Sequence, residues 1–186
     1  PHEDQCKGHC IRGLKGEPIA FPSIERHIST AYLEELTIDK MPANGKRVAV
    51  VGSGPAGITA AMLLAQHGYK ITMFESRDRI GGVLTYGIPE FRLPRTLVEH
   101  LEQKLIQLGV SIKVNTLVGP VITVDKLLAD GYDAIFIGTG VWNPKTLGIK
   151  GETLGHSHYA IDYLKNPKNY RLGKRVVVIG AGNVAM

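Results

Sequence analysis

Three glycines and one acid carry most of the chemical information in this chain. Val48-Ala-Val-Val51 is a run of apolar, mostly β-branched residues that predicts a short buried strand. Gly52-Ser53-Gly54-Pro55-Ala56-Gly57 follows it, and an apolar helical stretch follows that. In such a loop the first glycine permits the turn and the second lets a pyrophosphate approach the backbone. The third lets helix and strand pack closely. The helix N-terminus adds N–H groups and a partial positive charge. Glu75 ends the next apolar run, Ile71-Thr-Met-Phe74, about 20 residues on, where a carboxylate accepts from a ribose hydroxyl. Arg77 and the pair Gly81-Gly82 come next, and a glycine pair lets the backbone run close to a bulky ligand. This first loop fits FAD. A second pattern, Gly180-x-Gly182-x-x-Ala185, follows Val176-Val-Val-Ile179 and would hold a nicotinamide nucleotide. The residue that separates NAD from NADP would fall after Met186.

Gly138-Thr139-Gly140 closes another apolar run, Ala134-Ile-Phe-Ile137. That is the edge where open parallel sheets bind ligands, although a plain strand-ending turn reads the same way. Trp142 just after it reads as packing. Cys6 and Cys10, with His2 and His9 nearby, fit two free buried thiols, an unusually spaced zinc site, or part of an iron–sulfur site. Spacing leaves all three open. The seven histidines are dispersed, and no His–carboxylate or His–Ser pairing supports hydrolase chemistry.

The elements that position these residues follow from periodicity. A helix is expected over 22–36, a linker over 39–46, and a first βαβ from Arg47, its helix running from Pro55 to His67. A strand over 70–74 precedes a long Gly- and Pro-punctuated stretch of the kind that is more often functional than idle. Leu97, Leu101, Leu105 and Leu108 repeat at helical spacing and read as core. Strands at 110–114 and 134–137, the latter buried, and short helices at 124–129 and 159–165 complete the pattern. The fold class expected is α/β with an open, mainly parallel sheet and 48–51 central. The net charge of +5 comes from scattered basic residues, and only 6% of residues are aromatic, so nucleic-acid binding is not indicated. No apolar run is long enough to span a membrane. Two cysteines without a disulfide framework suit a reducing cytoplasm.

The stretch Gly81-Gly-Val-Leu-Thr-Tyr-Gly-Ile-Pro-Glu-Phe-Arg-Leu-Pro94 is far more specific than a glycine loop. With Gly52–Gly57 and Glu75 it closely resembles the small (beta) subunit family of NADPH-dependent glutamate synthase. It is similar also to the amino-terminal half of dihydropyrimidine dehydrogenase and to the large subunit of NADH-dependent ferredoxin–NADP oxidoreductase. The resemblance spans Pro1 to Met186. It implies a Rossmann-like FAD-binding domain over 41–150. A remnant of an iron–sulfur helical segment over 1–40 would precede it. Residues 151–186 would form a connector and the first strand and loop of an NAD(P)H-binding domain.

The resemblance also implies roles for residues. The loop residues Gly52, Ser53, Gly54, Pro55, Ala56 and Gly57 would hold FAD, with Glu75 at its ribose and Ser76 and Arg77 also in the cofactor site. Gly82, Leu84, Arg92, Val118, Thr139 and Gly140 would line the flavin site, Arg92 as a cation over the phosphate or flavin edge. Gly180, Gly182, Asn183, Val184 and Ala185 would begin the NADPH site. Cys6 and Cys10 would ligate a [4Fe–4S] cluster, with the cysteine that directly precedes the proline in the family as a third ligand and Glu25 in the place of a fourth. The activity implied is passage of electrons from NADPH through FAD and iron–sulfur clusters to a partner subunit or domain. Both ends read as cut, so a piece of a longer polypeptide is expected, binding FAD weakly or not at all by itself and turning over no NADPH. A different class, a non-catalytic dinucleotide-binding or scaffold module, would share the glycine loops but none of the flavin chemistry.

Overall fold

The computed structural model describes residues 5–33, 35, 37–182 and 184–185. These fall into two units that divide between Ile38 and Asp39.

The first unit holds α1 (Gln5–Gly8), a 3₁₀ turn over Ile11–Leu14, and α2 (Phe21–Tyr32). Pro22 sits in the first turn of α2, where a missing N–H costs nothing. The helix ends four residues before the boundary expected at 36. None of its residues is buried; Phe21, Ile24, Ile28 and Tyr32 are exposed apolar side chains at helical spacing.

The second unit is built on β1 (Arg47–Val51), α3 (Pro55–Gln66), β2 (Lys70–Phe74), α4 (Val83–Tyr86), α5 (Arg95–Gln107), β3 (Ser111–Lys113), α6 (Val124–Ala129), β4 (Ala134–Ile137) and α7 (Ala160–Lys165). The four strands form one parallel sheet in the order β3-β2-β1-β4. Val51 pairs with Phe74 on one side and Ile137 on the other, so β1 is interior, as its unbroken apolar run requires. The chain leaves β1 toward β2 and β3, then returns to β1's other side as β4. The carboxyl ends of β1 and β4 therefore flank a topological switch point, where open sheets leave a crevice.

Alternation along β1 divides the core. Val50 faces α3, and its Cγ1 lies 3.4 Å from where a Cβ on Gly57 would stand. Ala49 and Val51 face the other way and pack with Phe74, Leu127 of α6 and Tyr132. The Phe74 and Tyr132 rings meet edge-on at 6.1 Å. Helix α3 stops at Gly68, whose φ of +81° ends it in left-handed geometry.

Two expectations change. β4 is half exposed rather than buried, with Ile137 62% accessible, because it is the sheet's last strand on that side. Val176–Ile179 belongs to no strand, and all four side chains are exposed. β-branched residues supply strand propensity, but a strand also needs a neighbour's N–H and C=O groups, and among the described residues this segment has none. No described helix is long and apolar enough to cross a membrane.

Candidate functional site

The switch point opens into a groove of about 610 Å³, within the range of small-molecule sites. Close backbone approach makes it possible. Gly52 has a φ of +96°, and a Cβ there would stand 2.4 Å from the carbonyl oxygen of Gly138. A Cβ on Gly57 would stand 1.9 Å from the carbonyl oxygen of Gly52, so the third glycine seats α3 on the turn. Gly82 packs its Cα face on Gly54, where a Cβ would come within 2.7 Å of the Gly54 Cα. The doublet 81–82 is thus a backbone-to-backbone contact with the glycine loop, secured by the Gly81 N–H donating to Ser53 O at 2.8 Å.

Gly54 differs from its neighbours. Its φ is −70° and its ψ −176°, open to any residue, and a Cβ there would meet nothing nearer than the Gly82 Cα at 3.9 Å. The fold gives no reason for glycine at 54; space in the groove does. Gly54 is also the N-cap of α3, and no side chain caps that helix. Its first-turn N–H groups and dipole suit an anion. A backbone cradle and an uncapped helix fit a dinucleotide's pyrophosphate.

Glu75 lies beside this loop and is only 6% accessible. Four protein donors reach its carboxylate. Oε2 accepts from the N–H of Ser53 at 3.0 Å and from its hydroxyl at 2.5 Å; Oε1 accepts from the N–H of Arg77 at 2.9 Å and the hydroxyl of Ser76 at 3.2 Å. Two oxygens offer about four acceptor positions, so all are in use. The weakest and most exposed bond is that of Ser76, the one a ribose hydroxyl can replace.

Of the residues expected at the flavin, the groove is lined by Gly52 to Ala56, Glu75 to Arg77, Gly82, Val118, Thr139 and Gly140. Leu84 and Arg92 are not on its wall; Arg92 is exposed, with its guanidinium 5.7 Å from the Phe91 ring. The groove also takes in side chains that sequence patterning passed over, notably Leu117, Trp142 and Ile161. Trp142, expected as packing, is half-buried on the wall with the guanidinium of Arg77 3.9 Å from its ring centroid. The same guanidinium lies 4.4 Å from the Tyr86 centroid. The Tyr86 hydroxyl donates to Asp78 at 2.6 Å. Burial first, then that bond, pushes the Tyr86 phenol up to about 12, and the same bond holds Asp78 below the usual carboxylate range.

Gly180, Gly182, Val184 and Ala185 lie outside the groove, and no helix begins after them among the described residues. Asn183 is not among the described residues. Cys6 is exposed and Cys10 half-buried, neither in a disulfide. The N–H of Ile19 is the largest of the influences that lower the Cys10 thiol below its ordinary range. Among the described residues no three His, Cys, Asp or Glu side chains are grouped to hold a metal, so Cys6, Cys10 and Glu25 do not form a set. A [4Fe–4S] cluster takes four ligands, so the described residues alone do not complete one.

A parallel sheet with a glycine-loop cradle at its switch point defines a dinucleotide-binding α/β protein. Residues 46–186 match the pyridine nucleotide-disulphide oxidoreductase family, and the chain belongs to it. Among characterised proteins it is 36% identical to the beta subunit of NADP(+)-dependent formate dehydrogenase from Moorella thermoacetica, over 97% of this chain and 30% of that one. It is 38% identical to the small chain of NADPH glutamate synthase from Bacillus subtilis, over 96% and 39%. The corresponding Escherichia coli small chain is 32% identical, over 100% and 43%. The chain thus spans less than half the length of these relatives. A solved 2-naphthoyl-CoA reductase superposes on 80% of this chain and 22% of its own, with a TM-score of 0.66 and 30% identity. Mycobacterium tuberculosis FprA, solved with NADPH, shares the fold over 67% and 28% with a TM-score of 0.57 and 24% identity.

Proposed function

We propose that this chain is the FAD-binding part of a cytoplasmic, NADPH-dependent flavin oxidoreductase of the glutamate synthase small-chain kind, which hands electrons to a partner subunit. Residues 41–150 hold the dinucleotide, and 151–186 lead into the NADPH-binding region. FAD, when bound, supplies the conversion of a hydride into single electrons. The chain's own residues bind and orient it. The α3 N-terminus and the loop amides receive the pyrophosphate, and Gly54 gives it room. Glu75 takes a ribose hydroxyl in place of that of Ser76. The names of the relatives support a partner, since each is one subunit of a larger enzyme.

The observation that carries the reading is Gly54, a glycine with neither steric nor conformational need of being one. Gly54→Ala should leave the unfolding midpoint close to wild type, since the lesser N-cap preference of Ala costs about 0.5 kcal/mol. A methyl group in the phosphate's space costs about 1–3 kcal/mol, so the Kd for FAD should rise about fivefold or more. An unchanged Kd in a folded variant would remove the pyrophosphate from this loop.

A further inference from the structure

Residues 39–46, which composition marks as a linker, are tied to the end of α3 away from the glycine loop. Three successive carbonyls at that end receive donors from this strap. Gln66 O accepts from the Met41 N–H at 2.7 Å, and Gly68 O from the Asn44 N–H at 3.1 Å. Between them, His67 O accepts from Asn44 Nδ2 at 3.1 Å. A helix end leaves such carbonyls without intrahelical partners, and Asn44 supplies two of the three donors. The other atom of its amide, Oδ1, accepts from the Lys46 N–H at 2.9 Å, which folds the side chain over Gly45 as in an Asx-turn. Gly45 has a φ of +79°, and a Cβ there would meet nothing within 4 Å. Among the described residues nothing accepts from its N–H. A nitrogen open to water thus follows directly on an amide side chain curled over it.

We infer that Asn44-Gly45 is a site of spontaneous covalent modification, at which the Asn44 amide is lost through a cyclic imide. The Gly45 nitrogen gives up its proton and bonds to Asn44 Cγ. The bond from Cγ to Nδ2 breaks, and Nδ2 leaves with that proton as ammonia. Water then adds to one of the two imide carbonyls and opens the ring, giving aspartate or isoaspartate. Negative charge develops on Oδ1 during the attack, and the Lys46 N–H already donates there. The fold holds this side chain in a reactive arrangement and does not shield it. Asn143 and Asn166 precede prolines, whose nitrogen has no proton to give. Asn115, Asn169 and Asn183 precede residues whose side chains crowd the nitrogen. The product undoes the tether. Aspartate at position 44 has no donor for His67 O and sets a negative charge at the negative end of the α3 dipole. Isoaspartate also adds a carbon to the main chain. The addition falls between two bonds that anchor it, Asn44 N–H to Gly68 O and Lys70 N–H to Lys46 O.

The test ages the whole chain at physiological temperature in mildly alkaline buffer, natively folded and, in parallel, unfolded in guanidinium. Peptide mapping by mass spectrometry should show amide-to-acid conversion at Asn44 in the folded chain at least as fast as in the unfolded one. No other asparagine should convert in that time. The aged, folded chain should melt lower than the fresh one and exchange its Lys70 amide hydrogen faster. Asn44→Asp should melt lower than Asn44→Ala, which equally lacks the side-chain donor but brings no charge to the helix end. Conversion severalfold slower in the folded chain would overturn the inference, because the fold would then protect the amide. Equal conversion at the other asparagines would also overturn it. An unchanged midpoint and unchanged Lys70 exchange in the fully converted chain would overturn the claim that the modification undoes the tether.

Discussion

Replacing Glu75 by Ala should destabilise the fold as well as weaken the ligand. The Glu75 carboxylate accepts four protein hydrogen bonds, two of them from Ser53, which is fully buried. Those two count as bonds to a charged acceptor, about 1.5–3 kcal/mol each. The donors on Ser76 and Arg77 are partly exposed, and water can take the acceptor's place there. Removing a buried carboxylate also removes its desolvation cost, which offsets part of the loss. The net expectation for Glu75→Ala is about 2–4 kcal/mol of unfolding free energy, read from urea denaturation followed by circular dichroism. Ser53→Ala removes the hydroxyl bond alone and should cost about 1.5–3 kcal/mol. Combined in a double-mutant cycle, the two changes should couple by about 1 kcal/mol, since they break one shared bond. A loss below about 0.5 kcal/mol for Glu75→Ala, the range of ordinary surface changes, would refute the idea that this acid ties the glycine loop. Its role would then be confined to the ligand.

Gly57→Ala should be tolerated poorly, because its Cβ would stand 1.9 Å from the Gly52 carbonyl oxygen, a backbone atom that cannot step aside alone. The expected cost is about 3 kcal/mol, seen as a lowered thermal midpoint; a midpoint equal to wild type would mean that α3 does not rest on the turn. The Tyr86 phenol is raised from 10.0 to about 12 in the folded chain. From pH 10 to 12 the folded state keeps a proton that the unfolded state has released, so stability falls with rising pH across that window. Below pH 10 the contribution is fully present. Tyr86→Phe should abolish this slope and let the Asp78 carboxyl return toward its ordinary range, both readable from pH-dependent unfolding and from NMR titration of Asp78.

The local chemistry of the groove was legible in the sequence because it is encoded by neighbours along the chain. Gly52, Gly54, Gly57 and Glu75 sit at spacings that a strand–turn–helix–strand unit imposes, and the apolar runs of β1 and β2 dictate burial. The interior place of β1, the α6 boundaries and the parallel sheet followed from the same patterns. Three things were decided only in three dimensions. Which glycines serve the fold and which serve the ligand depends on what a Cβ would strike. Gly52 and Gly57 face backbone and Gly54 has room for a Cβ, in line with the roles that sequence position suggests, whereas Gly82, expected at the ligand, instead packs on the Gly54 backbone. Trp142 reached the groove wall because the parallel pairing of β4 with β1 carries the turn after β4 beside Arg77, 65 positions away by numbering. Arg92 did not reach it, although its motif is the most specific in the chain. Val176–Ile179 has strand propensity but no partner among the described residues, and a strand exists only as a pair. Periodicity is a property of consecutive residues. Contact across the switch point depends on sheet order, which periodicity does not contain.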